Sequence, residues 1–210
     1  MSIEKKTVQI KQNGFLLEAI LSIPVQSIGL VIFAHGSGSS RLSPRNNFVA
    51  ERLNTDQIAT LLADLLTPEE DADYQQRFDI GLLTERLLNV TKWARDQAAL
   101  SSLPIGFFGA STGAAAALQA AAQLGKSIGV VVSRGGRPDL ASDIGKVNAP
   151  TLLIVGGNDF GVIELNQAAH EELSGVKDIA IVPGATHLFE EPGALEQVAD
   201  LAADWFKKHL

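Results

Sequence analysis

Five short runs rich in β-branched and aromatic residues, IGLVIFA (28–34), PIGFFG (104–109), IGVVVS (128–133), TLLIVGG (151–157) and IAIVPG (179–184), recur between stretches whose apolar residues follow helical spacing. Runs this short and this continuously apolar read as strands buried on both faces. Strands that alternate with helices build a mostly parallel sheet covered on both sides. Helices are predicted over 46–53, 79–97, 112–124, 162–173 and 193–208, the third closed by Gly125 at the C′ position. TVQIKQNGFLLEAILSIP (7–24) adds a strand pair around Asn13-Gly14, a hairpin turn signal. IATLLADLL (58–66) is a further strand candidate with helix as its alternative, and TPEEDADYQQRF (67–78) reads as a polar loop.

Parallel strands put their carboxyl ends, and the loops that leave them, on one rim of the sheet, where ligands bind in open α/β folds. Those loops are 35–45, 109–112, 134–139, 156–161 and 183–192, and they carry His35, Ser111, Asp159 and His187. Residues scattered in sequence are thus expected on one edge.

Gly109-Ala110-Ser111-Thr112-Gly113 fits G-x-S-x-G, the strand-to-helix turn that holds a nucleophilic serine up to solvent. A serine opening an alanine-rich helix is also a good N-cap, so the motif alone leaves both roles open. A nucleophilic serine needs a neighbouring base. The chain has four histidines. His209 suits the carboxyl end of the last helix, His170 lies within an amphipathic helix, and His35 opens a glycine loop that it can orient. His187, in VPGATHLFEEPG after the last strand, is the expected base; its alternative is a surface histidine bonded to Glu190 or Glu191. With the order Ser…Asp…His required, Asp159 in VGGNDF is the expected carboxylate that fixes the imidazole tautomer. Its alternative is an Asx turn. Asp139 and Asp143 have the same order but sit in a longer irregular excursion.

Gly36-Ser37-Gly38-Ser39-Ser40-Arg41 is a dinucleotide motif with Arg41 in place of its last glycine, and no acidic residue closes a second strand at the usual distance. It reads better as a loop that aims a backbone N–H at a developing oxyanion. Ser37 N–H is the expected first donor, with Gly36 and Gly38 as alternatives, and Thr112 N–H the second.

Composition narrows the chemistry. With 210 residues, 46% hydrophobic and 20% charged, one domain over 1–210 with a substantial core is expected. The absence of cysteine removes disulfides, thiolate nucleophiles and zinc–thiolate sites, and there is no H-E-x-x-H spacing, so no metal is expected. A net charge of −7 disfavours nucleic acid and anionic membranes as partners. No signal-like or membrane-spanning apolar segment stands out, and a cytoplasmic location is expected. LGKS (124–127) ends a helix rather than starting one, unlike a phosphate loop.

HGSG, GASTG, GGND and GATH, at this spacing and with SRGGRPDL and GATHLFEEPG around them, resemble the α/β-hydrolase superfamily, and within it the small dienelactone-hydrolase-like group. The resemblance covers nearly the whole chain. It implies an α/β-hydrolase fold, a mostly parallel eight-stranded sheet with helices on both faces and here no room for a cap domain. Ser111 stands where dienelactone hydrolases use cysteine, which turns the expectation from dienelactones to general ester chemistry. The resemblance also implies that such a domain is sometimes joined to a phosphoribosyltransferase domain, which these residues do not contain.

Arg41, Arg45, Arg134 and Arg137 all fall on the rim. They are expected to pair with Asp139, Glu190, Glu191 and the acidic 69–73 loop, recognition of an acidic substrate being the alternative. The whole reading is a cap-less hydrolase that cleaves small-molecule esters through an acyl-enzyme on Ser111 and needs no cofactor. Its alternatives are thioester, amide or acyl-transfer chemistry on the same residues, or a non-catalytic binding module of the same fold.

Overall fold

The computed structural model describes residues 2–12 and 14–210. β1 (Ile3–Gln12) and β2 (Phe15–Pro24) form the N-terminal antiparallel pair, in register from Ile3 opposite Pro24 to Gln12 opposite Phe15. Gly14 follows with φ +93°, while Asn13, the other half of the expected turn signal, lies outside the described residues. β3 (Gly29–Ala34), β4 (Ile58–Ala63), β5 (Ile105–Ala110), β6 (Val130–Arg134), β7 (Thr151–Gly156) and β8 (Lys177–Val182) are mutually parallel. The eight strands form one sheet in the order β1-β2-β4-β3-β5-β6-β7-β8. The segment 58–66 is therefore strand, over its first six residues.

Each of β3, β4, β5 and β7 is buried at all six positions, in keeping with a composition that is apolar except for Thr60 and Thr151. Alternate side chains feed two cores. Val31, Phe33, Phe108, Val130 and Val132 face α1 (Pro44–Thr55) and α6 (Ala194–His209). Leu30, Ile32, Phe107 and Val131 face α3 (Ile80–Arg95) and α4 (Thr112–Leu124), and the same core continues to α5 (Phe160–Glu172).

The segment 67–78 departs from the expected polar loop: it holds a short helix, α2 (Pro68–Ala72), and a 3₁₀ turn over Gln76–Phe78. Thr67 accepts from Glu70 N–H while the Glu70 carboxylate accepts from Thr67 N–H, a reciprocal cap readable in Thr67-Pro68-Glu69-Glu70. α5 begins at Phe160, two residues earlier than its apolar spacing suggests, and β8 begins at Lys177. No helix among the described residues is long and apolar enough to cross a membrane.

In chain order the sheet grows from β3 outward to β4, then returns to place β5 on the other side of β3. Between β3 and β5 the direction of winding reverses, which opens a crevice at their carboxyl ends. The loop after β3 starts at His35 and the turn after β5 is Ser111. The topology alone brings these two segments together.

Candidate active site

Ser111 joins β5 to α4 with φ +51° and ψ −121°, backbone angles that a residue with a Cβ rarely adopts. Its side chain makes no capping hydrogen bond, so the N-cap role is not the one it plays. Surrounding bonds hold the strained turn: Ser111 N–H donates to Arg134 O at 3.2 Å, and Ser111 O accepts from Ala114 N–H at 3.0 Å and Arg137 N–H at 3.2 Å.

The glycines of the elbow are required by contact. A Cβ on Gly109 would lie 2.4 Å from Ala114 Cα, and one on Gly113 would lie 2.1 Å from Ala34 O. Both neighbours are backbone and cannot rotate aside. Gly113→Ala is therefore expected to destabilise the fold by at least ~1–3 kcal/mol, seen as a lower urea midpoint or as insoluble protein. An unchanged midpoint would mean that α4 does not sit this close to β3.

His187 lies on the loop after β8, and its Nδ1 is bonded to Asp159 Oδ2 at 2.7 Å. Asp159 is the last residue before α5, where it spends its side chain on His187 rather than on a cap. The two loops are tied to each other as well. Asn158 N–H donates to Ala185 O at 2.9 Å and its side-chain amide to Gly184 O at 2.9 Å. Gly156 lets them meet, since a Cβ there would lie 2.4 Å from Ala185 O. Phe189, fully buried in the α1/α6 core, anchors the loop two residues beyond His187. Glu190 and Glu191, the alternative partners of His187, are engaged elsewhere: Glu190 with Arg45 and Glu191 with the Thr186 hydroxyl.

His35, the first residue after β3, is buried. Leu65 N–H donates to its Nε2 at 3.0 Å. A backbone N–H can only donate, so Nε2 is unprotonated and Nδ1 carries the proton, given to Gly36 O at 3.0 Å. Burial lowers the pKa of His35, consistent with a neutral ring. Gly36 O also accepts from Ser39 N–H at 3.2 Å. In a planar trans peptide the C=O and N–H point in opposite directions, so Ser37 N–H is aimed away from His35 and Ser39. Gly36 itself abuts the elbow, a Cβ there falling 3.1 Å from both Ala110 O and Ser111 Cβ.

Gly36, Ser37, Ser111, Arg134, His187 and Leu188 line one cavity of about 180 Å³. The expected site residues Ser37, Ser111 and His187 thus share a single space, with Asp159 behind His187 and Thr112 at the first position of α4. Asp139 is held by Arg137 and Asp143 by Lys146, and neither is bonded to His187. His170 lies on α5, and His209 on α6 packs against Trp205.

Three of the four rim arginines have carboxylate partners: Arg41 with Asp64 and Glu18, Arg45 with Glu190, Arg137 with Asp139. Arg134 has none among the described residues. Sequence reasoning also missed Asn158, whose only signal is its place beside Asp159 at a strand end.

A dienelactone hydrolase from Anabaena variabilis has a solved structure that matches with 50% identity and a TM-score of 0.95 over 99% of both chains. The chain belongs to the α/β-hydrolases, in their dienelactone-hydrolase-like group. Est1E from Butyrivibrio proteoclasticus shares the fold, with a TM-score of 0.82 at 19% identity over 96% of this chain and 98% of that one. In Mycobacterium tuberculosis, a curated relative named "Putative phosphoribosyl transferase" is 56% identical over 99% of this chain. The chain spans 47% of that relative's length. No protein-family model matches the chain.

Proposed function

We propose that this chain is a serine hydrolase of small carboxylic esters, with Ser111 as nucleophile, His187 as base and acid, and Asp159 as the orienting carboxylate. One observation carries the reading: Ser111, on a strained turn without a capping bond, shares its cavity with a histidine whose Nδ1 is held by a carboxylate. Holding Nδ1–H on Asp159 leaves the Nε2 lone pair to take the serine proton.

Ser111 Oγ attacks the ester carbonyl carbon and His187 Nε2 takes the hydroxyl proton. The carbonyl oxygen becomes an oxyanion, which in this reading accepts from Ser37 N–H and Thr112 N–H. Thr112 opens α4, so its N–H has no partner within the helix. The tetrahedral intermediate collapses, the alcohol leaves with the proton from His187, and the acyl group remains on Ser111. Water then repeats the sequence and releases the acid. Each oxyanion donor contributes ~10²–10³ in turnover.

The phosphoribosyl transferase name belongs to a Mycobacterium tuberculosis relative of which this chain spans 47%, and the hydrolase reading rests instead on the serine elbow and the His187–Asp159 pair of this chain. A fluorophosphonate probe, read by intact mass, tests the nucleophile. One stoichiometric adduct on Ser111 is expected; an unlabelled, folded protein would favour a binding module.

The cavity is small, and the candidate lid, the 67–78 segment with exposed Tyr74 and Phe78 in tilted ring contact, supplies none of its lining. Each buried methylene contributes about 0.8 kcal/mol only while apolar wall remains to receive it. Across p-nitrophenyl esters from acetate to palmitate, kcat/KM is expected to peak at the short acyl chains and fall beyond them. Efficiency that rises to the longest chains would reveal a deep hydrophobic tunnel and overturn this expectation.

A further inference from the structure

Arg134 is the anomaly of the site. It ends β6, it is only 8% exposed, and it lines the Ser111 cavity. Its Nε and Nη1 are buried with no protein partner among the described residues, and its Nη2 reaches Asn46 Oδ1 only at 3.5 Å. The Phe189 ring lies 6.0 Å from its guanidinium carbon, at the outer limit of a cation–π contact. Desolvation by burial, and then repulsion from Arg45, push its pKa down to about 10, so it stays charged at neutral pH.

Arg45 faces the same cavity from α1. Its Nη1 donates to the exposed Glu190 at 3.0 Å, but its Nε is buried without a protein partner. Two like charges at one cavity, one without a counter-ion, cost stability unless an anion enters. α1 adds the positive end of its dipole, because Ser43, its N-cap, also lines this cavity. The Ser43 Oγ accepts from Asn46 N–H, which leaves its hydroxyl proton free to donate outward.

Resting on the ester-hydrolase reading of Ser111, we propose that this cavity binds a phosphate group of the substrate, so that the ester cleaved is that of a phosphorylated alcohol. A carboxylate presents two oxygens in one plane, which a single guanidinium edge satisfies. Here the Arg134 edge from β6, Arg45 Nε and the Ser43 hydroxyl from α1 and its N-cap, and Ser37 from the loop after β3 surround one cavity. Such donors suit three oxygens on a tetrahedral centre. A phosphate also carries enough charge to offset two guanidiniums of which only one has a carboxylate partner.

The test compares three acetate esters by acid release: 2-acetoxyethyl phosphate, 3-acetoxypropanoate and neutral 2-methoxyethyl acetate. The phosphate ester is expected to lead in kcat/KM. Arg134→Gln is expected to cut its advantage over the neutral ester by roughly 10- to 100-fold, the loss typical of a charged hydrogen-bond partner. Arg137→Gln, on a guanidinium already held by Asp139, is expected to keep the advantage. Inorganic phosphate should compete with p-nitrophenyl acetate in the unaltered protein, and calorimetry should show it binding that protein but not Arg134→Gln. If Arg134→Gln does not fold, Arg134→Lys replaces it, which keeps the charge, loses the planar fork and should still reduce the advantage. Equal efficiency on the phosphate and neutral esters would overturn the phosphate site and leave ester hydrolysis standing. Preference for 3-acetoxypropanoate would overturn the choice of phosphate over carboxylate. Phosphate binding without turnover of any ester would support the site and count against the ester reading instead.

Discussion

Replacing Ser111 by alanine is expected to bring ester hydrolysis close to the uncatalysed background, a loss on the order of 10⁶-fold, with the melting temperature almost unchanged. The two halves of this expectation have separate causes. Activity falls because no other hydroxyl on the rim is held at a strand-to-helix elbow in the same cavity as His187. Stability holds because the serine side chain makes no capping bond, so its removal deprives α4 of nothing. Alanine keeps the Cβ, and with it the strain of a φ of +51°. Ser111→Gly removes that strain and is expected to gain ~1 kcal/mol or more while remaining inactive. Rates with p-nitrophenyl acetate and thermal denaturation of the three proteins check both halves. A Ser111→Ala protein that keeps its turnover but melts far lower would return the serine to the role of helix cap.

Much of this site is legible before any coordinates. The β-branched and aromatic runs over 28–34, 104–109, 128–133, 151–157 and 179–184 point to a parallel sheet, and a parallel sheet fixes which loops share an edge. Glycines at 109 and 113 around Ser111 carry the elbow, because a Cβ at either position would fall 2.4 or 2.1 Å from a backbone atom. His187 and Asp159 follow from chain order and strand ends, and both stand together in the fold.

What stayed hidden is of two physical kinds. Local capping at Thr67-Pro68-Glu69-Glu70 is masked by the polar composition of 67–78, although the residue types allow a reciprocal cap. The start of α5 was obscured for a different reason: Asp159, by residue type a natural cap, is diverted to a histidine from a distant loop. The fate of the rim arginines is a question of partners far apart in sequence. Arg45 meets Glu190 across 145 positions, whereas Arg137 meets Asp139 two residues away. No count of nearby carboxylates separates Arg134 from these, because its isolation comes from burial at the end of β6 beneath the His187 loop.

Asp159→Asn is expected to lower ester turnover by roughly 10⁴-fold, the size of loss that the same change causes in a well-studied Ser-His-Asp protease. The carboxylate is an acceptor only, so it holds His187 with the proton on Nδ1, at 2.7 Å. The amide that replaces it can present its NH₂ to Nδ1 instead. The ring proton then moves to Nε2, which in the proposed mechanism loses the lone pair that takes the serine proton. Asparagine matches aspartate in shape, and Asn158 still ties the two loops through Ala185 O and Gly184 O, so the fold should be retained. The same substitution at Asp139 removes a partner of Arg137, and at Asp143 a partner of Lys146. Neither carboxylate is bonded to His187, and each change should alter turnover only slightly. Steady-state rates for the three variants, alongside melting curves to confirm folding, separate the candidates. A large loss at Asp139 or Asp143 with activity preserved in Asp159→Asn would move the orienting acid to the β6 side of the rim and require His187 to turn away from the partner it has here.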